Sequence, residues 1–105
     1  VLTDAGVFYG DTGEAFKQFN IRDGMGVVRL REELRIETGI VTGELSGSVR
    51  TRAEKLKIRE LHLGVAHKSL LLPEMLGRLG LHSSEVAFIG DDVNDFNILQ
   101  MVGLA

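Results

Sequence analysis

Val86-Ala87-Phe88-Ile89-Gly90-Asp91-Asp92-Val93-Asn94-Asp95 sets four consecutive apolar residues directly against a glycine and three aspartates. Four uninterrupted apolar side chains suit a strand buried on both faces, hence a parallel sheet covered by helices. Gly90 allows a sharp exit from that strand. Hard carboxylate oxygens gathered at a strand end favour Mg²⁺ over a softer metal. The same residues also describe an acidic turn in which Asp92 or Asn94 caps the next helix, and the motif taken alone leaves both readings open.

Upstream of this stretch the chain alternates between the two periodicities. Val7-Phe8-Tyr9 and Ala15 to Phe19, about the turn Gly10-Asp11-Thr12-Gly13, predict a β-hairpin. Val1 to Asp4 reads as the tail of an earlier strand. Val27, Leu30 and Leu34 recur on one face of a helix over Gly24 to Leu34, with Asp23 as its cap. A strand over Ile36 to Val41 follows, then a helix capped by Ser46 that buries Val49, Ala53 and Leu56. Leu61 to Val65 is the next strand, and Ser69 to Leu79, stopped by Gly80, the next helix. Beyond the quoted strand, Asn94 to Met101 predicts a helix and Gly103 to Ala105 the start of a strand. Strands alternating with helices of this length imply βαβ units, a parallel sheet and right-handed crossovers.

Composition limits what such a domain can do. The chain has 105 residues, 44% of them hydrophobic, with one proline, which fits a single globular domain over residues 1–105. Twelve Lys and Arg against fifteen Asp and Glu give a net charge of −3, and the basic residues are scattered, which argues against nucleic acid as a partner. The absence of cysteine removes disulfides, thiol catalysis and thiolate metal sites. No apolar run approaches membrane-spanning length and no signal-type start is present, so the expectation is a cytoplasmic protein without a membrane partner.

Ligands of such sheets bind past the carboxyl ends of the strands, where this sequence carries Asp4, Thr42, Lys68 and Asp91. Thr42-Gly43 offers a hydroxyl and a backbone N–H beside a helix start, suited to phosphate oxygens; a common strand-to-helix turn would look the same. Lys68 offers a cation for a phosphoryl group or a carboxylate, although most lone lysines are solvated surface groups. Taken together, a hydroxyl, a cation and carboxylates after successive strands form a phosphate-and-metal constellation.

These residues resemble the haloacid dehalogenase superfamily of phosphatases, whose second, third and fourth motifs match Thr42, Lys68 and Gly90-Asp91-Asp92-Val93-Asn94-Asp95. Val1-Leu2-Thr3-Asp4, the hairpin, Phe19 to Gly26 and Glu85 to Asp92 further resemble the capless phosphatases of 3-deoxy-D-manno-octulosonate 8-phosphate. The resemblance implies an α/β fold: a Rossmann-like parallel sheet flanked by helices, with a β-hairpin insertion near the N-terminus. It also implies lipopolysaccharide biosynthesis as the setting, and Mg²⁺ as cofactor. The family's first motif, Asp-x-Asp-Gly, would end where this sequence begins. The nucleophile and general acid are therefore expected outside these 105 residues, the domain is expected to be truncated at both ends, and the chain by itself to be inactive.

The resemblance also assigns roles. Thr42 and Lys68 are catalytic, and with the Gly43 N–H they bind the phosphate. Asp91 is the metal ligand, with Asp92 and Asp95 orienting it or binding through water. Glu44 stands where the octulosonate enzymes usually carry Arg and nine-carbon relatives resemble this Glu, so the expected substrate is a phosphorylated keto-sugar acid of either type. Glu44 and Arg50 are candidate substrate contacts, although a helix salt bridge from Arg50 to Glu54 competes. The family's hairpin joins neighbours in a homotetramer, and the aromatics Phe8, Tyr9, Phe16 and Phe19 argue for the same packing here. The alternative is a noncatalytic haloacid dehalogenase-like oligomerisation module of a sialic acid cytidylyltransferase, against which intact Thr42, Lys68 and Asp91 speak. A phosphoacceptor receiver domain would carry its acidic pair before the Thr and Lys, the reverse of the order found. His62, His67 and His82 lack metal spacing.

Overall fold

The computed structural model describes residues 2–3 and 5–105, and the side chains of all of these except Glu14 and Ala15. They form two compact units, 2–64 and 65–105. The expected strand at Val1 to Asp4 lies partly outside the described residues, as does the strand-end residue Asp4 itself. Within that segment Thr3 forms an antiparallel bridge with Phe19.

In the first unit, β1 (Phe8–Gly10) and β2 (Gly13–Phe16) pair antiparallel, with Phe8 opposite Phe16 and Gly10 opposite Gly13. Gly13 takes a φ of 117°, which a side chain would oppose, and so closes the two-residue turn. The Phe8 and Phe16 rings stack with centroids 4.5 Å apart, yet both remain more than half exposed, as does Tyr9.

Helix α1 runs from Ile21 to Leu34 and corrects the expected start at Gly24. Its cap is Asn20 rather than Asp23: Asn20 is extended and its side-chain oxygen accepts from the Arg22 N–H at 2.8 Å. Asp23 instead lies in the first turn, where a negative charge complements the helix dipole. The following strand is also shorter than expected. Ile36 donates its N–H back to the Leu30 carbonyl at 2.9 Å, so residues 36–38 finish the helix end and β3 covers only Gly39–Val41.

β3, α2 (Gly47–Lys55) and β4 (Glu60–His62) form one βαβ unit, the two strands pairing in parallel with Ile40 beside Leu61. Ser46 caps α2 as expected, accepting from the Val49 N–H at 3.3 Å. β4 begins and ends earlier than the expected Leu61 to Val65. Gly64 turns the chain at φ 67° and gives its N–H to the Glu44 carbonyl instead of a strand neighbour. Val27, Ala53, Leu56 and Ile58 make the core of this unit, with Val28, Ile40 and Leu61 packed against it.

The second unit is built on α3 (Lys68–Leu79), which Gly80 ends in the left-handed conformation. A 3-10 turn at Ser83–Glu85 follows, then a second at Val93–Asp95 that continues directly into α4 (Phe96–Leu99). The expected helix over Asn94 to Met101 is therefore tighter at its start and shorter. The expected strand over Val86 to Ile89 is reduced to a parallel bridge between Ala87 and Leu104, supported by Phe88 N–H to the Leu104 carbonyl at 2.9 Å. Val86 spends its own N–H on Ser83, and no described strand continues the ladder past Ala87. Leu72 and Ile98 are the buried hydrophobic residues among those described in this unit.

Candidate active site

The quoted acidic stretch and Lys68 both lie in the second unit, and the structure brings them together. Lys68 is the first residue of α3 rather than a loop residue ahead of it. A cation there opposes the positive end of the helix dipole, so its charge needs compensation. Asp95 provides it: Lys68 Nζ donates to Asp95 Oδ1 at 2.5 Å, and the two side chains retain only 15% and 4% of their surface. The Lys68 ammonium also stands 5.9 Å from the centre of the Phe88 ring, at the end of the apolar run.

The Asp95 carboxylate is fully engaged. Its Oδ2 accepts the Asp92 N–H at 3.3 Å, and the Asp91 N–H also donates to this carboxylate. Burial pushes the Asp95 carboxyl up, but the Lys68 hydrogen bond and charge, with the Asp92 and Asp91 N–H groups, outweigh it and hold the group below its ordinary value. Asp92 is committed as well: its carboxylate caps the 3-10 turn, accepting from the Asn94 N–H at 3.5 Å, in a reciprocal box with Asp95. The capping reading of the motif is thus realised at Asp92. Asp91 differs from both: its carboxylate is exposed and makes no hydrogen bond or ion pair among the described residues.

That distribution bears on a metal. No three His, Cys, Asp or Glu side chains among the described residues group closely enough to hold one. Of the three aspartates, Asp91 is the one whose carboxylate makes no hydrogen bond or ion pair among the described residues, and a free hard carboxylate is chemically suited to Mg²⁺.

Thr42 and Gly43 lie in the first unit, immediately past β3. The Thr42 N–H extends the parallel ladder to the His62 carbonyl at 2.9 Å, and its Oγ1 accepts the Glu44 N–H at 3.2 Å. Gly64 N–H to the Glu44 carbonyl, 3.1 Å, pins the same loop. The loop is therefore set by local bonds, with Thr42 half-buried and Gly43 and Glu44 exposed. Arg50 is exposed on α2. A cleft of about 500 Å³ beside that helix is lined by Lys17, Phe19, Ser48, Thr51, Arg52 and Lys55, and not by Arg50 or the Thr42 loop. Its central cation, Arg52, is structural: the guanidinium donates to the Asn20 carbonyl at 3.2 Å and faces the Phe19 ring.

The expected role of Asp95, orienting the metal ligand or binding through water, leaves out its partnership with Lys68. The available signal was electrostatic, a lysine opening a helix where a carboxylate is preferred. Gly90, expected to allow a sharp exit from the strand, does not use the left-handed region open to glycine. Its small size matters instead, because a Cβ there would meet the Asp95 side chain, with Cγ at 2.7 Å and Cβ at 2.8 Å.

No protein-family model matches the chain. It is similar over its whole length to 3-deoxy-D-manno-octulosonate 8-phosphate phosphatase KdsC of Escherichia coli (strain K12), at 35% identity, and spans 55% of that protein. Among solved structures it is similar to the enzyme of that name from Moraxella catarrhalis, in complex with magnesium, phosphate and KDO. That match has a TM-score of 0.90 and 33% identity, covering 98% of this chain and 59% of the other. A haloacid dehalogenase superfamily hydrolase of subfamily III A from Legionella pneumophila gives 0.89 and 33%, covering 98% and 56%. The fold is thus haloacid dehalogenase-like, α/β with a parallel strand pair and flanking helices. Within that class, the relative matched over the full 105 residues is named as a phosphatase of 3-deoxy-D-manno-octulosonate 8-phosphate, and the chain spans little more than half of its length.

Proposed function

We propose that this chain supplies the phosphate- and metal-binding part of a Mg²⁺-dependent phosphatase acting on a phosphorylated keto-sugar acid. The substrate is 3-deoxy-D-manno-octulosonate 8-phosphate or a nine-carbon 9-phosphate relative. The observation that carries this reading is the Lys68 ammonium, seated on the buried Asp95 carboxylate, in the same unit as the free carboxylate of Asp91. The relatives support the substrate class: they are named for this phosphatase activity, and one structure holds magnesium, phosphate and KDO.

In this mechanism an aspartate outside the 105 residues attacks phosphorus and forms an aspartyl phosphate as the bond to the sugar oxygen breaks; a second aspartate, also outside them, protonates that leaving oxygen and then takes a proton from the water that hydrolyses the aspartyl phosphate. Lys68 balances the negative charge gathered on nucleophile and phosphate. The Thr42 hydroxyl, which still has its proton to donate, and the Gly43 N–H hold the transferring oxygens as charge builds on them. Asp91 would hold Mg²⁺, which when bound shields the repulsion between nucleophile and phosphate. Asp92 and Asp95 shape the loop that presents Asp91. Glu44 and Arg50, both exposed, are the candidate contacts to the sugar acid. The exposed Phe8, Tyr9 and Phe16 suit burial against further copies, as in a homotetramer assembled through the hairpin.

The test is phosphate release from 3-deoxy-D-manno-octulosonate 8-phosphate by the full-length protein. Lys68→Met should lower kcat by about a hundredfold or more, the scale of losing an electrostatic contact to the transferring group. The 105-residue chain alone should give no turnover. Full activity in Lys68→Met would refute the assignment.

A further inference from the structure

We infer that Gly90 is a positioning residue for Lys68, acting through the Asp95 carboxylate: the missing side chain at position 90 is the space that carboxylate occupies. The three nearest atoms to a Cβ built on Gly90 all belong to Asp95, and all are closer than atoms in contact can stand. Asp95 is buried and cannot move aside without giving up Lys68 Nζ on one oxygen and the Asp92 N–H on the other. A methyl at position 90 therefore displaces the group that neutralises a lysine at a helix N-terminus, where the dipole already disfavours it. Among the described residues, Lys68 would keep only the Phe88 ring, 5.9 Å away, as a partner.

Other crowded or open glycines in the same unit make this specific. A Cβ on Gly103 would meet backbone of Ser84, with its carbonyl carbon at 2.8 Å, so Gly103→Ala disturbs packing without touching the ion pair. A Cβ on Gly77, in α3, would meet nothing within 4 Å.

The inference rests on the phosphatase reading only for what Lys68 does, and its test reads the geometry directly. Lysine amines of the full-length protein are labelled with acetic anhydride and quantified by mass spectrometry, with exposed Lys57 as internal reference. In the wild type, Lys68 should react about tenfold more slowly than Lys57, the factor a charge-assisted hydrogen bond supports. In Gly90→Ala and in Asp95→Asn that protection should be lost, whereas in Gly77→Ala and Gly103→Ala it should persist. If Gly90→Ala is too unstable to label, an Asp95→Gly background decides the matter: the added methyl then has no carboxylate to displace and should cause no further fall in Tm. Protected Lys68 in Gly90→Ala, or a fall in Tm in the Asp95→Gly background as large as in the wild type, would overturn the inference. Normal phosphate release by Lys68→Met would instead sink the functional reading and leave this geometry standing.

Discussion

Breaking the Lys68–Asp95 pair from either side should be costly, and breaking it from both sides should cost less than the two losses combined. Lys68→Met leaves Asp95 charged and 4% exposed, with only the Asp91 and Asp92 N–H groups to solvate it. Removing one member of a buried pair costs about 3–5 kcal/mol, and the surviving backbone donors put this variant near 3 kcal/mol. Asp95→Asn preserves shape and one acceptor but strands the Lys68 ammonium, 15% exposed, at a helix N-terminus with the Phe88 ring. The ring returns about 1 kcal/mol, so a net loss near 3 kcal/mol is again expected. The double variant buries no unpaired charge and should lose about 3 kcal/mol, giving a coupling energy of about 3 kcal/mol, at the upper end for residues in contact. Urea unfolding of the four proteins measures this, with an excluded osmolyte present so that the weakest variant stays folded. If the two single losses add to within about 0.5 kcal/mol, the pair is not coupled and the reading of Asp95 as the partner of Lys68 fails.

Four shorter predictions follow from other contacts. Ser46→Ala removes the acceptor for the Val49 N–H in a fully buried cap and should cost about 1–2 kcal/mol by denaturant unfolding. Because Asp95 has its folded pKa held below the unfolded value, its contribution to stability is complete above the ordinary carboxylate range. It is lost as pH falls through the lowered value, so Asp95→Asn should flatten the acid limb of a Tm-against-pH profile. Asp91→Asn should raise the Mg²⁺ concentration needed for half-maximal phosphate release by about tenfold or more, since even groups behind the ligands cost that much; an unchanged requirement would remove Asp91 as a ligand. Phe8→Ser with Phe16→Ser should shift sedimentation toward smaller species while leaving the circular dichroism of the helices unchanged, because both rings are more than half exposed in the chain.

The parts of the fold legible in the sequence are those whose hydrogen bonds are local. Ser46 capping α2 and Gly80 ending α3 follow from one residue each and a side-chain period. The cap of α1 falls at Asn20, whose backbone is extended, three residues before the expected Asp23, which is left to the dipole. The strand ends depend on distant bonds: Ile36 is claimed by Leu30, Gly64 by Glu44, and Val86 by Ser83. No residue pattern within those segments reports such competition, so each strand reads longer than it is.

The site divides in the same way. The loop after β3 and the acidic run after Ile89 are legible because their residues are consecutive, and the chemistry of each residue type limits its roles. The partnership of Lys68 with Asp95 spans 27 residues and was not legible as a pair. Yet each member carries a local anomaly: a lysine placed against a helix dipole, and a carboxylate that follows a glycine and a cap in a sequence too acidic for a plain turn. Each anomaly is unfavourable alone and is relieved by the other. Asp95 is spent on Lys68, Asp92 on the backbone of its own turn, and the remaining charge at Asp91 has no partner among the described residues. On the proposed reading, the exposed Asp91 carboxylate is where Mg²⁺ would bind, because binding there would displace water and no hydrogen bond of the loop found among the described residues.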